Sequence, residues 1–411
     1  MEKVNLIYKF LYVFLCICII IFSMNYPLIA LFRPLDILFI FMFVLFLFTN
    51  PKIDKNLIII LLFIIFSFFL SCFLGVIKNG YIETLNYAFI YKYFFLLTVP
   101  WIVVSVVKTN EQIKTINSLL LISYLLLCIW VYIYLILKNS GIIIGSFRPS
   151  FPTNNFAITD SHLYSSYLGF FTIAYYIYLR NYFKHNFIIS TIILINSLIS
   201  LILVGSRTGL ILIFSSVFIY FGYILINFLI SSKLNFKSLN PYLKILIYLS
   251  ILLIFFNYYF YSNLIEYDFF KKNYSLIERT FSFDVINDRS ASDRMSKLLL
   301  AVENAEYSAW FLGSGFSNNE IWYDGVFSLL LSHGGFLLIL SIVIFYYYIL
   351  KKAKSKSSDY SKYFIFLFLV VIYLISNLIT EHIFITRNSF PILVMITMTY
   401  IESIKNQIFR S

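Results

Sequence analysis

The sequence predicts an all-α polytopic membrane protein with about twelve transmembrane helices. Of its 411 residues, 61% are hydrophobic and only 12% are charged, and the mean hydropathy is +0.88. A water-soluble globule of this size could not bury so much apolar surface. Apolar runs of about 17 to 25 residues, the length that a helix needs to cross a bilayer, recur along the chain. Helices satisfy their own backbone hydrogen bonds in lipid, whereas a closed barrel would need shorter alternating segments that this sequence lacks.

The apolar runs place the predicted helices in order. The first run follows Lys3 and Lys9 and has no small-residue cleavage site at residues 23–26, so we expect a retained span rather than a signal peptide. The spans lie near residues 6–24, 28–48, 57–77, 86–107, 116–137, 161–179, 187–205, 208–230, 243–262, 325–350, 361–381 and 388–405.

Lysine and arginine residues indicate the orientation. They concentrate in loops that follow even-numbered spans, at residues 52–55, 108–114, 180–184, 233–244 and 351–362. The positive-inside rule assigns these loops to the cytoplasm. Both termini are then cytoplasmic. The predicted organisation is helices 1–9 at residues 1–261, an extracytoplasmic loop with an amphipathic helix at 262–324, and helices 10–12 with a cytoplasmic C-terminus at 325–411.

The composition also excludes several classes of site. The net charge of +12 arises mostly from loop residues that set the orientation, so no nucleic-acid partner is predicted. The phosphate-binding glycine motifs of nucleotide-binding proteins are absent. The cysteines lie within apolar runs without ligand spacing, at Cys16, Cys18, Cys72 and Cys128. We therefore predict no metal site, no disulfide and no cofactor.

Arg207 lies at the tight outer turn between the seventh and eighth predicted spans, within Gly205-Ser206-Arg207-Thr208-Gly209. As a flanking arginine it could extend to a lipid phosphate. The turn, however, has almost no loop to hold a side chain at the surface, and its small residues would let a ligand approach the backbone. Because charge near membrane depth is costly, this pattern favours a functional role.

Arg294 belongs to the predicted amphipathic helix of the outer loop. Ser290 or Ser292 is suited to be its N-cap. Apolar residues recur at helical spacing, at Met295, Leu298, Leu299 and Val302. Arg294 would then lie in the first turn, where amide N–H groups and the guanidinium together favour a bound anion. An ion pair with Asp293 or Glu303 explains Arg294 equally well.

Asp324 precedes the tenth predicted span and follows Trp322-Tyr323. A carboxylate at a membrane mouth beside aromatic rings could act as a general base. It could also simply cap the helix, since Asp is a preferred N-cap. His333 lies more than two turns deeper beside Gly334-Gly335, and we favour a structural role for it over substrate binding.

Other polar residues are predicted near the outer face, where they would line an outward-facing cavity. Arg33 lies one turn from Asp36, so the two side chains can pair. The remaining candidates for substrate binding are Lys92, Arg148, His162 and Arg289.

Taken in order, these residues resemble the Wzy-type O-antigen or capsular polysaccharide polymerases, in the superfamily that includes the O-antigen ligases. The resemblance covers mainly residues 140–345. It rests on the twelve-span layout, the large outer loop, Ser206-Arg207, Asp293-Arg294 followed by a helix, Phe311-Leu312-Gly313-Ser314-Gly315, and the stretch from Asp324 to Gly335. The ligases typically carry His-Asn where this chain has Asp324-Gly325, which favours the polymerases.

The resemblance implies a GT-C-like fold in the bacterial cytoplasmic (inner) membrane. It implies that undecaprenyl-pyrophosphate-linked repeat units serve as both donor and acceptor, with a chain-length regulator of the Wzz type as a partner. Arg207 and Arg294 would stabilise the leaving pyrophosphate without a metal. Asp324 would deprotonate the acceptor hydroxyl, and direct displacement would invert the anomeric carbon.

Two alternatives stay open. An O-antigen ligase would transfer a finished chain to lipid A core, and a histidine in place of Asp324 would favour it. A transporter of lipid-linked oligosaccharides should carry polar groups at mid-membrane and internal repeat symmetry, whereas here the polar groups gather at one face.

Overall fold

The structure, a computed structural model, describes residues 2–23, 34–49, 54–79, 97–141, 148–152, 161–231, 289–306, 310–315, 325–357, 360–379 and 386–408. Within these ranges the protein is helical and contains no β-strand. Described helices that are long and apolar enough to cross a membrane are Lys55–Ile77, Asn110–Asn139, Phe187–Val204, Val326–Lys356 and Ser361–Leu378. The described part of the chain thus agrees with the predicted class, a helical membrane protein.

The described residues form twelve helices of ten or more residues. They are α1 (Glu2–Ile21), α2 (Pro34–Leu47), α3 (Lys55–Asn79), α4 (Leu97–Val106), α5 (Asn110–Asn139), α6 (Ser161–Ala174), α7 (Phe187–Val204), α8 (Arg207–Ser231), α9 (Arg289–Glu306), α10 (Val326–Lys356), α11 (Tyr360–Ile379) and α12 (Thr386–Ile408). A five-residue π-helical turn, Tyr175–Leu179, continues α6. Helices occur at eleven of the twelve predicted spans, and the ninth span, 243–262, lies outside the described residues.

Local sequence explains where several helices begin and end. At α7, the Asn186 side chain accepts a hydrogen bond from the Ile189 amide at 2.9 Å, which satisfies a donor of the first turn. The same helix ends at Gly205, whose left-handed φ of 69° reverses the chain at low cost. Asp54 precedes α3 and accepts from the Asn56 amide at 3.0 Å.

The chain divides into two compact units. Unit 1 comprises Met1–Tyr124, Phe151–Asn155 and Val285–Ser411, and unit 2 comprises Leu125–Ser150 and Phe156–Asp284. In unit 1, α10 packs against α3, α9 and α11, while α1 packs on α2 and α11 on α12. With α12 as a fourth partner, α10 contacts more of the described helices of unit 1 than any other helix does.

Unit 2 is built around α6. This helix packs on α8 and α7, and its residues are buried on every face except at His162. The π-helical turn is also buried throughout. Tyr164, near the start of α6, donates a hydrogen bond to the Leu127 carbonyl of α5 at 2.5 Å. A helix buried on all sides is the centre of its bundle rather than a lipid-facing element.

Candidate functional site

Helix α10 is broken inside the predicted tenth span. Gly335 has φ 61° and ψ −166°, a backbone conformation that is essentially restricted to glycine. A Cβ at this position would lie 2.5 Å from the Gly313 amide nitrogen and 2.6 Å from the Phe311 carbonyl oxygen. The predicted tenth span, 325–350, is therefore a helix with a break, which Gly334-Gly335 permits and another segment stabilises.

Residues 310–315 supply the hydrogen bonds that the break removes from α10. The amides of Ser314 and Gly315 donate to the carbonyls of Ser332 and His333, at 2.6 and 3.1 Å. Beyond the break, the amides of Phe336 and Leu337 donate to the carbonyls of Trp310 and Phe311, at 2.8 and 3.2 Å. Non-helical backbone at membrane depth is tolerated only where protein or water satisfies it, and here the 310–315 segment does so.

Glycines bring this segment into direct backbone contact with two helices. A Cβ at Gly313 would lie 2.5 Å from the Ser332 carbonyl oxygen, and one at Gly315 would lie 2.5 Å from the Gly75 nitrogen of α3. Both glycines have positive φ, 66° and 83°. The motif Phe311-Leu312-Gly313-Ser314-Gly315 is therefore in close backbone contact with both α3 and α10.

His333 is buried at the break, with 6% of its surface exposed. Its Nδ1 lies 3.0 Å from the Gly315 carbonyl oxygen. Since a carbonyl only accepts, Nδ1 carries the proton in this contact, which orients the ring. Asn304 of α9 donates to the neighbouring Ser332 hydroxyl at 3.4 Å. The bond from His333 to the Gly315 carbonyl adds to the backbone hydrogen bonds that hold residues 310–315 on α10.

Helix α9 is the predicted amphipathic helix, and it packs on α10. Ala301 and Ala305, one turn apart, are fully buried, while Met295 and Leu299 are 51% and 53% exposed. The helix includes Arg289 as its first described residue, so Arg294 lies in the second turn and not in the first as predicted. Serine costs only about half a kcal/mol within a helix, so Ser290 and Ser292 need not mark its start.

Asp324, the predicted base, lies outside the described residues, as do Arg33 and Lys92. The N-cap of α10 is the next residue, Gly325, in an extended conformation and without a side-chain cap. A Cβ there would lie 2.8 Å from the Leu378 carbonyl oxygen of α11. The alternative in which Asp324 is the N-cap is therefore corrected by the structure, because glycine occupies that position.

In unit 2, the turn that carries Arg207 is fastened to the start of α6. The Ser165 hydroxyl donates to the Ser206 carbonyl at 3.0 Å and accepts from the Gly209 amide at 3.0 Å. The Thr208 hydroxyl donates to the His162 carbonyl at 2.7 Å and lies 3.0 Å from the Ser206 hydroxyl. Arg207, half-buried, is the first residue of α8. These bonds fix the backbone from which its guanidinium extends.

Small residues make this close packing feasible, and sequence reasoning missed their role. A Cβ at Gly169 would lie 2.8 Å from the Gly209 carbonyl oxygen, and one at Gly209 would collide with the Ser165 carbonyl. The spacing of Gly205 and Gly209 is the small-xxx-small pattern of close helix pairs in membranes. That pattern was the available signal.

The remaining predicted residues divide between the two units. In unit 2, Arg148 is exposed, and the nearby Ser150 carbonyl accepts from Trp130 Nε1 at 2.9 Å. His162 joins the Arg207 turn through its backbone carbonyl. In unit 1, α9 with Arg289 and Arg294 packs on the helix that contains His333. The described residues contain no group of three or more His, Cys, Asp and Glu side chains that could hold a metal ion.

No family model, no curated protein and no solved structure matches this chain.

Proposed function

We propose that this protein polymerises lipid-pyrophosphate-linked oligosaccharide repeat units on the outer face of the bacterial cytoplasmic membrane, into O-antigen or capsular polysaccharide. The proposal joins the resemblance of its motifs to the agreement of the described helices with a membrane protein. Substrate, reaction and orientation all belong to the proposal.

One observation carries most of the support. Two separate motifs of the resemblance, residues 311–315 and 332–335, are paired by backbone hydrogen bonds around the break in α10. The third, the helix with Asp293-Arg294, packs on the same α10. Asp324 comes one residue before the N-cap of that helix. Motifs scattered over some forty residues thus belong to one packed element, as expected if they serve a common purpose.

The proposed chemistry is a direct displacement. The acceptor hydroxyl oxygen forms a bond to the anomeric carbon of the donor while the bond from that carbon to the pyrophosphate oxygen breaks. The electron pair leaves with the pyrophosphate, and the hydroxyl proton passes to the Asp324 carboxylate. Guanidinium groups suit the leaving group because each can donate two parallel hydrogen bonds to phosphate oxygens. Arg207 and Arg294 are assigned this role.

Fixed backbone geometry is what such a role requires. A donor stabilises developing charge best when it does not reorganise during the reaction. The hydrogen bonds of Ser165 and Thr208 hold the Arg207 turn on α6. An arginine that merely reached lipid phosphate would need no such anchoring.

A transporter is the second candidate, favoured by the break in α10. Interrupted transmembrane helices form the binding sites of many secondary transporters, where exposed half-helix ends contact the substrate. Here, however, the amides and carbonyls around Gly335 are bonded to residues 310–315. These groups are therefore less available to bind a transported ligand, and we prefer the polymerase.

The test is the surface polysaccharide of a strain that lacks this protein. A single repeat unit on the lipid core, or loss of long capsule, is the expected result. Complete loss of even single-repeat decoration would favour a ligase, and accumulation of lipid-linked repeats on the cytoplasmic face would favour a transporter.

A further inference from the structure

Unit 1 contains a cavity of about 840 Å³ between its helices. Its walls come from α1, the start of α3, α4, the C-terminal half of α10, α11 and α12. Small-molecule sites usually have volumes of about 300 to 1,000 Å³, so this cavity is large enough for a ligand. None of the candidate residues discussed above lines it.

The charged residues of this cavity lie at one end. Lys108 follows α4, Lys352 and Lys356 lie in the last turns of α10, and Asp54 precedes α3. The positive-inside rule assigns all of these segments to the cytoplasmic side. With three lysines and one aspartate, the lining carries a net charge of +2. The cavity therefore has an electropositive mouth on the side opposite to the predicted outer loop.

The single acid at the mouth is already paired with a lysine. Asp54 Oδ2 lies 2.6 Å from Lys352 Nζ and accepts from the Tyr348 hydroxyl at 2.5 Å. These hydrogen bonds, that from Lys352 first, lower the pKa of Asp54 to about 2. The carboxylate is thus ionised, with Oδ2 bonded to α10 and Oδ1 to the Asn56 amide. Lys356 and Lys108, whose Nζ also donates to the Val104 carbonyl at 3.1 Å, remain to attract an anion from solvent.

The deeper walls are apolar. They carry aromatic and aliphatic side chains, among them Trp101, Phe345, Phe366 and Leu393. Two of the hydroxyl groups on these walls are bonded within the protein. Thr397 donates to the Leu393 carbonyl at 2.6 Å, and Tyr373 donates to the Ser389 hydroxyl at 3.0 Å. A ligand that extends inward from the lysines would therefore meet a mainly apolar surface, with hydroxyl groups at Ser105, Tyr346 and Tyr400.

We propose that this cavity binds a lipid with a phosphate headgroup, the phosphate at the lysines and the hydrocarbon chain along the aromatic wall. Ammonium groups are common point-charge partners of phosphate. Basic pockets between transmembrane helices on the cytoplasmic side are suited to anionic headgroups. The amphipathic lining argues against a free anion, which would leave most of the cavity without a partner. The inference does not depend on the proposed glycosyl transfer.

Trp101 provides a probe within the cavity. The fluorescence of Trp101 is obtained by subtracting the emission of the Trp101→Phe variant from that of wild type. Bromine atoms on lipid chains quench the fluorescence of a tryptophan that they contact. Purified protein is reconstituted in vesicles of phosphatidylcholine with increasing brominated phosphatidylglycerol, or with brominated phosphatidylcholine instead. We expect the phosphatidylglycerol to quench Trp101 at a much lower mole fraction.

Charge variants test the headgroup contact. Lys108→Gln/Lys356→Gln should weaken the preference for phosphatidylglycerol by roughly 30-fold, given the usual contribution of each basic residue near an anionic surface. The matched control is Lys351→Gln/Lys354→Gln, which removes the same charge from the same region at positions outside the cavity lining. This control should keep the preference. Each single lysine variant should show an intermediate effect, which guards against a folding defect in the double variant.

Competitors distinguish the sources of phosphate. Relief of the quenching by an isoprenoid monophosphate would support the proposal, because it would show that another lipid phosphate binds the same cavity. Millimolar inorganic phosphate should have no effect. Relief by inorganic phosphate alone would replace the lipid with a free anion and overturn the proposal. Equal quenching by the two lipids, or equal loss in the control variant, would also overturn it.

Discussion

Replacing Gly335 with alanine should test the break in α10 directly. The native φ of 61° with ψ −166° is open to glycine alone, and forcing alanine into such a conformation costs about 1 to 3 kcal/mol. The added Cβ would also lie 2.5 Å from the Gly313 nitrogen and 2.6 Å from the Phe311 carbonyl oxygen, both backbone atoms. Overpacking of this kind costs a further 1 to 3 kcal/mol, roughly. We therefore expect a total destabilisation of about 2 to 6 kcal/mol.

The assay is thermal unfolding of detergent-purified protein. At an unfolding entropy of about 2.1 cal mol⁻¹ K⁻¹ per residue, this destabilisation lowers the Tm of a 411-residue chain by roughly 2 to 7 °C. Two glycines serve as controls. Gly141 has φ 77° but nothing within 4 Å of an added Cβ, so its alanine variant isolates the backbone term. Gly222, within α8, has open space and no positive φ, so Gly222→Ala should be neutral or slightly stabilising.

The order of the Tm values of the three variants tests this reasoning. Gly335→Ala should be the least stable, Gly141→Ala intermediate, and Gly222→Ala at or above wild type. A Tm of Gly335→Ala within a degree of wild type, or equal to that of Gly141→Ala, would refute the tight pairing of the break with residues 310–315.

Five further outcomes are expected. Asp324→Asn should polymerise lipid-linked repeats at least about a hundredfold more slowly in a time course with purified protein, and a near-normal rate would remove Asp324 from the mechanism. Because Gly325 holds the N-cap, Asp324→Ala should also keep the wild-type Tm. Arg207→Lys should shorten the polymer nearly as much as Arg207→Ala, since an ammonium cannot reproduce the bidentate fork; wild-type chain length at equal protein level would contradict this. EDTA should not slow the purified enzyme, and inhibition reversed by Mg²⁺ would reassign the leaving-group charge to a metal. The pKa of Asp54 is lowered in the folded protein. Its pairing with Lys352 therefore contributes about 1 kcal/mol of stability above about pH 4, and this contribution should be lost as the pH falls toward 2. The Tm difference between wild type and Asp54→Asn, which can still cap α3, should shrink over that interval; a constant difference would exclude the ion pair as its source.

Hydropathy predicted the helices well because each apolar run is long, and lipid leaves the backbone few alternatives. The ends of α3 and α7 differ from the predicted spans by at most two residues, and α5 begins six residues before its predicted span. The motif at residues 311–315 and the pair Gly334-Gly335 were also recognisable as unusual for their glycine content. Their mutual contact was not, because nothing in either stretch specifies a partner some twenty residues away in the chain.

Helix ends were predicted less well. The serines before Arg294 are good N-caps, yet α9 extends past them to Arg289, because a serine within a helix costs little. Asp324 is a better N-cap than Gly325 by preference, yet Gly325 holds the position, where any side chain would collide with the end of α11. In both cases local preference was weaker than the surrounding packing.

The complete burial of α6 has a consequence for how unit 2 forms in the cell. Its sequence is interrupted by serine, threonine and tyrosine, with Ser165, Ser166 and Thr172 all buried, so it gains less than its neighbours from entering lipid alone. Its contacts with α7 and α8, including those of Ser165 with the Arg207 turn, exist only after those later helices have been synthesised. We expect α6 to be held in the bilayer by partners that follow it in translation. Truncation of the chain before Arg207 should therefore leave α6 poorly inserted, a dependence that a glycosylation reporter placed after α6 would reveal.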